Sequence, residues 1–245
     1  LVTIVRALWQ ARNLSGDPRV HMIDKFLTDT AVTKADQGSL TKSEKKQKKA
    51  LDMALLMAHE PASWYYAIPR FTRKHVKALA NIKLMSASIW HCLGITLGLV
   101  AITAAIYSAI VGWSETVAVV VASLVFYSII MLIANYRASR YYSLYETDTK
   151  LVINNSWWGF MVIDKAAICA CKQGSWTPED DNEALFIGRG VANLALQFEF
   201  EQSYFSGMAS MNDKVSRVYL AVDAPQNVVD AIVRVKSSNE EQKVA

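Results

Sequence analysis

Between Leu84 and Tyr136 a single charged residue, Glu115, interrupts two uncharged apolar runs. Leu84 to Ser114 contains no Asp, Glu, Lys or Arg, and neither does Thr116 to Tyr136. A hydrocarbon core about 30 Å thick needs about 20 apolar residues at about 1.5 Å of helical rise each. Each run reaches that length. One buried helix of a water-soluble core could be as apolar, but two in direct succession predict a transmembrane hairpin. Its spans are expected at Ser86 to Val111 and Val117 to Tyr136. The connection, Gly112-Trp113-Ser114-Glu115-Thr116, is long enough only to turn.

Charge supports the hairpin and orients it. Residues 1–86 carry 15 Lys/Arg against 7 Asp/Glu, whereas residues 137–245 carry 11 against 14. Positive side chains flank only the outer ends: the basic run before the first span, then Arg137 and Arg140 after the second. The positive-inside bias therefore predicts both termini on the matrix or cytoplasmic side. The expected divisions are a basic helical arm with a juxtamembrane segment (1–85), the hairpin (86–136), a β domain (137–236) and a polar tail (237–245). Up to Asn13 the chain has Arg6 and Arg12 and no acid, the bias of an organelle-targeting region.

Within the arm, Pro18 opens a segment in which Val20, Ile23, Phe26 and Leu27 recur at helical spacing. A polar stretch around Gln37-Gly38-Ser39 follows. Thr41-Lys42-Ser43-Glu44 has capping-box spacing, and the helix it starts is expected to end before Pro61. Trp64, Tyr65 and Tyr66 have the amphipathic character of a membrane-interface belt, with Arg70, Arg73, Lys74 and Lys77 behind them. Trp113, in the connection, is a further interface candidate. The alternative for those cations is a nucleic-acid patch, but their interleaving with aromatics beside a span favours the membrane surface.

The first span carries a stripe of small residues: Gly94, Gly98, Ala101, Ala105 and Ala109. Small side chains let helix backbones approach closely, which is how helices associate in lipid. The second span offers Ala118 and Ala122, so the stripe could face either its own partner span or another membrane subunit. His91 falls near the head-group end, where an interfacial role outranks ligation.

Beyond Arg140 the apolar period changes from 3.6 to 2. Tyr142 and Leu144 open a strand, Glu146-Thr147-Asp148-Thr149 is a polar turn, and Leu151 to Ile153 begin the next strand. Apolar runs recur at Phe160 to Ile163 and at Ala166 to Cys171, where Cys169 and Cys171 are expected to face the same way. An acidic loop (Glu179, Asp180, Asp181, Glu183) reads as a solvated face. Leu194, Leu196, Phe198 and Phe200 then alternate with Ala195, Gln197, Glu199 and Glu201. Val218, Leu220 and Val222 repeat the pattern. Asp223 can cap a final helix with Pro225 in its first turn and Val228, Val229, Ile232 and Val235 along one stripe. The fold class expected is membrane α + β, an antiparallel sandwich or barrel closed by one helix.

Two stretches, Tyr142 to Leu151 and Asp223 to Val233, resemble the pleckstrin-homology-like (PH-like) domains of bacterial two-span membrane proteins. The same order of elements also resembles a mitochondrial two-span assembly-factor family associated with ATP synthase and complex I. Either resemblance implies a hairpin with both ends on one side, a β-rich tail and no catalytic residue set. In lipid-binding pleckstrin-homology domains the first strand turn presents basic residues, whereas this turn holds Glu146 and Asp148 with one Lys150, so protein contacts are expected over head-group reading.

The sequence has no Gly-rich phosphate loop, and its four histidines, His21, His59, His75 and His91, have no ligand spacing. No catalytic, cofactor or metal residues are assigned. The expected function is that of a non-catalytic accessory or assembly subunit of an inner-membrane energy-converting complex, of the respiratory chain or ATP synthase. Its partners would be other subunits and the lipids around the hairpin, with no nucleic acid and no small-molecule substrate. A mitochondrial origin is favoured over a bacterial one. The alternative is a free-standing bacterial PH-like membrane protein that binds a partner or self-assembles.

Overall fold

The structure, a computed structural model, describes residues 12, 16–23, 41–206 and 212–244. It divides into one unit ending at His75 and a second beginning at Val76. Phe26, Leu27, the Gln37-Gly38-Ser39 stretch and most of the amino-terminal bias lie outside the described residues, as do the side chains of the Thr41 to Glu44 box and of Val235.

In the first unit, helix α1 (Thr41–Ala67) runs through Pro61 instead of ending before it. An internal proline removes one amide and crowds the carbonyl four residues back, at about 3 kcal/mol. The apolar face continues across it, however: Leu55, Ala58, Ala62, Tyr65 and Tyr66 are all buried. Fully burying one large apolar side chain is worth about 1.5–3 kcal/mol, so packing outweighs the local penalty. Residues 18–23 form a short helical segment that buries Val20 and Ile23. Asp17 caps it, its Oδ1 accepting from the Arg19 amide at 2.8 Å. The Arg19 guanidinium closes a 2.7 Å ion pair with the same carboxylate. Tyr66 donates its hydroxyl to Asp17 Oδ2 at 2.8 Å and lies 3.5 Å from His75 Nε2. A buried charge pair survives only when its remaining polar atoms are also engaged, and Tyr66 supplies that.

Electrostatics inside this unit favour neutral pH. Burial pushes the Asp17 carboxyl up, but the charge and hydrogen bonds of Arg19, with the Tyr66 hydroxyl, outweigh it and hold the group below its ordinary 3.8. Burial, together with the Arg19 charge, lowers His59 from 6.5 to about 4, with Asp17 opposing. Between pH 6.5 and about 4 the unfolded chain therefore binds a proton at His59 that the folded unit refuses, so stability falls as pH falls through that window. Asp17 adds a loss in the same direction below 3.8. Urea midpoints of the detergent-solubilised chain should decline from pH 6.5 towards 4, and His59→Gln should flatten that decline.

The second unit is a sheet with the two apolar helices inserted near its start. Strand β1 (Ala78–Ala80) precedes α2 (Ile89–Ile110) and α3 (Glu115–Tyr141). Seven strands follow: β2 (Leu144–Glu146), β3 (Lys150–Asn154), β4 (Gly159–Asp164), β5 (Ile168–Trp176), β6 (Leu185–Ile187), β7 (Ala192–Ser206) and β8 (Asn212–Leu220). Helix α4 (Pro225–Val244) ends the described chain, running through the stretch expected as a tail from Ser237. The sheet order is β1-β2-β3-β4-β7-β8-β6, with β5 also on β7. All pairs are antiparallel except β6 with β8. Long β7 has β8 along one edge and, along the other, β5 followed by β4.

The residues after β1 close this sheet. Ile82 bridges Val222, the Lys83 amide donates to Ala221 O at 2.7 Å, and the Arg189 amide donates to Lys83 O at 2.8 Å. Asp223, expected as a helix cap, has its two oxygens on the backbone and side-chain nitrogens of Asn81, at 2.7 and 3.2 Å. Residues 78–83, read from sequence as juxtamembrane, are thus part of the sheet. Three residues are too few for a period-2 signal.

Inward residues of the strands, among them Leu144, Leu151, Ile153, Met161, Ile163, Leu194, Leu196, Val218 and Leu220, form the core with Val228 and Ile232 of α4. The expected alternation of β7 holds for Leu194, Leu196 and Phe198. It breaks at Phe200, which is 68% exposed, because the register slips between Gln197 and Gln202. A second slip between Ile168 and Ala170 separates the two cysteines of β5: Cys169 is exposed while Cys171 packs on the core. A β-bulge of this kind turns one residue out of the alternation.

Candidate functional site

The polar residues buried in the second unit concentrate where the helical hairpin meets the sheet. Asn135, Ser139, Ser143, Asn154 and Ser156 are all there, and Lys165 is the other described one. Ser139, near the end of α3, shares a 2.7 Å hydrogen bond with Ser86, in the 3-10 turn leading into α2. Two residues past α3, Ser143 accepts from the Ile82 amide at 2.8 Å through its hydroxyl, and its carbonyl accepts from the Asn154 amide at 2.8 Å. Both chain segments that enter and leave the hairpin are therefore held by one residue. A buried amide left without a partner costs about 1–3 kcal/mol, which explains a serine at so dry a position.

The turn between β3 and β4, Asn155-Ser156-Trp157-Trp158, completes the junction. Asn154 Oδ1 accepts from the Ser156 amide at 2.9 Å, holding Ser156 at φ +56°. A non-glycine residue in this left-handed region is strained by about 1–2 kcal/mol and needs such support. The turn then docks on α3: Ser156 Oγ donates to the Asn135 carbonyl, and the Trp157 amide donates to Asn135 Oδ1, both at 3.4 Å. From behind, the Tyr204 hydroxyl donates to Trp158 O at 3.3 Å and accepts from Asn155 Nδ2 at 3.2 Å. A Cβ on Gly159 would collide with that hydroxyl, so only glycine fits there.

The hairpin itself has two opposed faces. Cys92, Thr96, Leu99, Thr103, Ile106 and Ile110 of α2 are its more buried residues and recur every three or four positions. They pack against α3, whose Ala118 is fully buried. Gly94, Gly98, Ala101, Ala105 and Ala109 are exposed. Gly94, Gly98, Ala101 and Ala105 each lie two residues past a seam residue, about 200° around a helix of 3.6 residues per turn, and Ala109 lies one residue before Ile110, about 100° from it. Nothing comes within 4 Å of a Cβ built on Gly94 or Gly98. The stripe is one continuous face, and α3 is not its partner.

The expected interface residues differ in exposure. Tyr65 and Tyr66 lie in the interior of the first unit, with their rings edge to face 5.2 Å apart, and Trp64 is half-buried. Their place on the α1 stripe at the spacing of Leu55, Ala58 and Ala62 was the available signal. Arg70, Arg73, Lys74 and Lys77 are exposed, and Trp113 is 81% exposed at the hairpin turn. In the β2–β3 turn, Lys165 reaches Glu146 at 2.7 Å and the Asp148 carbonyl at 3.3 Å, so that turn is less acidic than its own residues imply. Asp181 of the acidic loop pairs with Arg217 at 2.7 Å. Among the described residues no three His, Cys, Asp or Glu side chains converge as a metal site.

Gly159→Ala should lower stability by about 1–3 kcal/mol, the usual range for overpacking. Gly98→Ala, with open space at its Cβ, is the neutral reference. Urea midpoints in detergent measure both. No protein-family model, no curated protein and no solved structure matches this chain, so what it does has to be argued from the junction and the hairpin faces themselves.

Proposed function

We propose that this chain is a membrane-anchored, non-catalytic accessory or assembly subunit of a larger inner-membrane complex. In this reading α2 and α3 cross the bilayer, both termini lie on the matrix or cytoplasmic side, and the closed sheet with its α4 cover is a PH-like domain used for protein contacts. The two helices are long and apolar enough to span a membrane, and their exposed residues include Leu97, Ile102, Leu124 and Phe126, side chains that water would not tolerate in such number.

One observation carries the proposal. The small-residue face of α2 points away from α3, and a hairpin whose inner end is locked to a sheet presents that face at a fixed angle. Close backbone approach, the mode of association available in lipid, is what such a face offers a second helix. The buried polar groups Asn135, Ser139 and Ser143 already hold the hairpin to the sheet, which suits a rigid mount. An energy-converting complex of the respiratory chain or ATP synthase is the assembly favoured by the resemblance to the two-span assembly factors.

Mild-detergent extraction followed by a native gel should show the chain co-migrating with an oxidase, dehydrogenase or synthase activity. The double variant Gly94→Leu, Gly98→Leu should reduce that co-migration while leaving the chain folded, since both positions are exposed and a Cβ at either meets no atom within 4 Å. Migration as a small free species would favour the alternative, a free-standing PH-like membrane protein. An unchanged yield from the double variant would remove the α2 face as the contact.

A further inference from the structure

The β3–β4 turn is placed at a depth that the hairpin fixes. Asn135 lies 20 residues after Glu115 at the start of α3, which is about 30 Å of helix at about 1.5 Å per residue. That is the thickness of a hydrocarbon core. The Trp157 amide is bonded to the side chain of that asparagine, and Trp158 follows one residue later, within about 3.8 Å along the chain. Head-group layers add about 5–8 Å on each side of the core. Trp158 is 59% exposed although its backbone is held from both sides by Asn155 and Tyr204. On α2, Trp90 lies 20 residues before Ile110, again about 30 Å from the turn, and is 79% exposed. Two exposed indoles therefore share one level, and a third, Trp113, marks the opposite end of the hairpin. Arg137 lies at the same level and Arg140 one turn beyond, the latter exposed.

We propose that the Trp157-Trp158 turn is a membrane-contact element of the sheet: it seats the Trp158 indole in the glycerol and head-group layer of the bilayer that the hairpin crosses. The occupant is lipid, because the turn's depth is set by a helix whose lipid-facing length ends at Asn135, and because an indole combines an apolar body with one N–H donor suited to that layer. The sheet then touches the membrane at three points, the two hairpin ends and this turn, and cannot rock about the helices. Asn135 and Gly159 are positioning residues for it. This inference rests on the bilayer reading of α2 and α3, and its test separates the two.

The test uses the full chain with Cys92, Cys169 and Cys171 replaced by serine and one environment-sensitive fluorophore at a single new cysteine, reconstituted in phosphatidylcholine–phosphatidylglycerol vesicles. Trp158→Cys is the probe. Leu124→Cys, exposed midway along α3, reports the hydrocarbon interior. Lys172→Cys, exposed on β5 opposite Ala195, is the aqueous reference, ten residues along β7 from the pairing of β4 with Phe205. Emission from position 158 should be blue-shifted relative to 172 and lost on adding lipid with a nitroxide at the head group, while 172 keeps its emission. Emission from 124 should be lost with a nitroxide deep in the acyl chain. Position 158 behaving like 172 while 124 is quenched would overturn the turn as a membrane contact and leave the hairpin in the bilayer. Loss of quenching at 124 as well would overturn both.

Discussion

The hydrogen bond from the Ile82 amide to the Ser143 hydroxyl, 2.8 Å long, joins segments 61 residues apart that lead into and out of the helical hairpin. The closed sheet depends on it. With Ile82 fixed, Asn81 and Lys83 present their backbones to Asp223 and Ala221, just past β8, and to Arg189, just past β6, and the short strand β1 acquires a place. Without it, a buried amide would lack a partner in a site with no access to water. Insertion of two long helices between β1 and β2 is tolerable because the break in the sheet is bridged by polar groups rather than by further strand.

The same economy of partners explains how rigidly the helices are carried. A helix pair tethered only by its chain ends could swing. Here Ser139 with Ser86, and Asn135 with the Ser156-Trp157 amide and hydroxyl, fix both helices to a core that includes Leu144 and Ile153. Two opposed faces of α2 then have distinct consequences. One is filled by α3, whose Ala118 is fully buried; the other keeps its small residues open. In the proposed bilayer, the open face is where a second helix would approach.

The first unit shows local rules giving way to packing. Pro61 sits inside α1, and Tyr65 and Tyr66 are core residues whose hydroxyl and ring contacts organise Asp17, Arg19 and His75. Read one at a time, a proline and an aromatic pair before a basic run suggest a helix end and an interface. Read by their spacing from Leu55, Ala58 and Ala62, they continue one buried stripe. The decision between these lies in what residues 16–23 place against that stripe, which is remote in sequence.

Sequence by itself determined the two apolar helices and their turn at Glu115, the strand character after Tyr142, the inward alternation of Leu194, Leu196, Phe198, Val218 and Leu220, and the final helix with its Val228–Ile232 stripe. Periodicity and the absence of charge over a membrane's length are local properties, legible without a partner. Only the tertiary structure decided that β1 belongs to the sheet, that Phe200 and Cys169 turn outward at register slips, that the Gly94–Ala109 stripe faces away from α3, and that a turn carrying Trp158 is docked at Asn135. Each of these is a pairing between residues far apart in the chain, where one hydrogen-bond register or one helix rotation selects among options that local patterning leaves equal in energy.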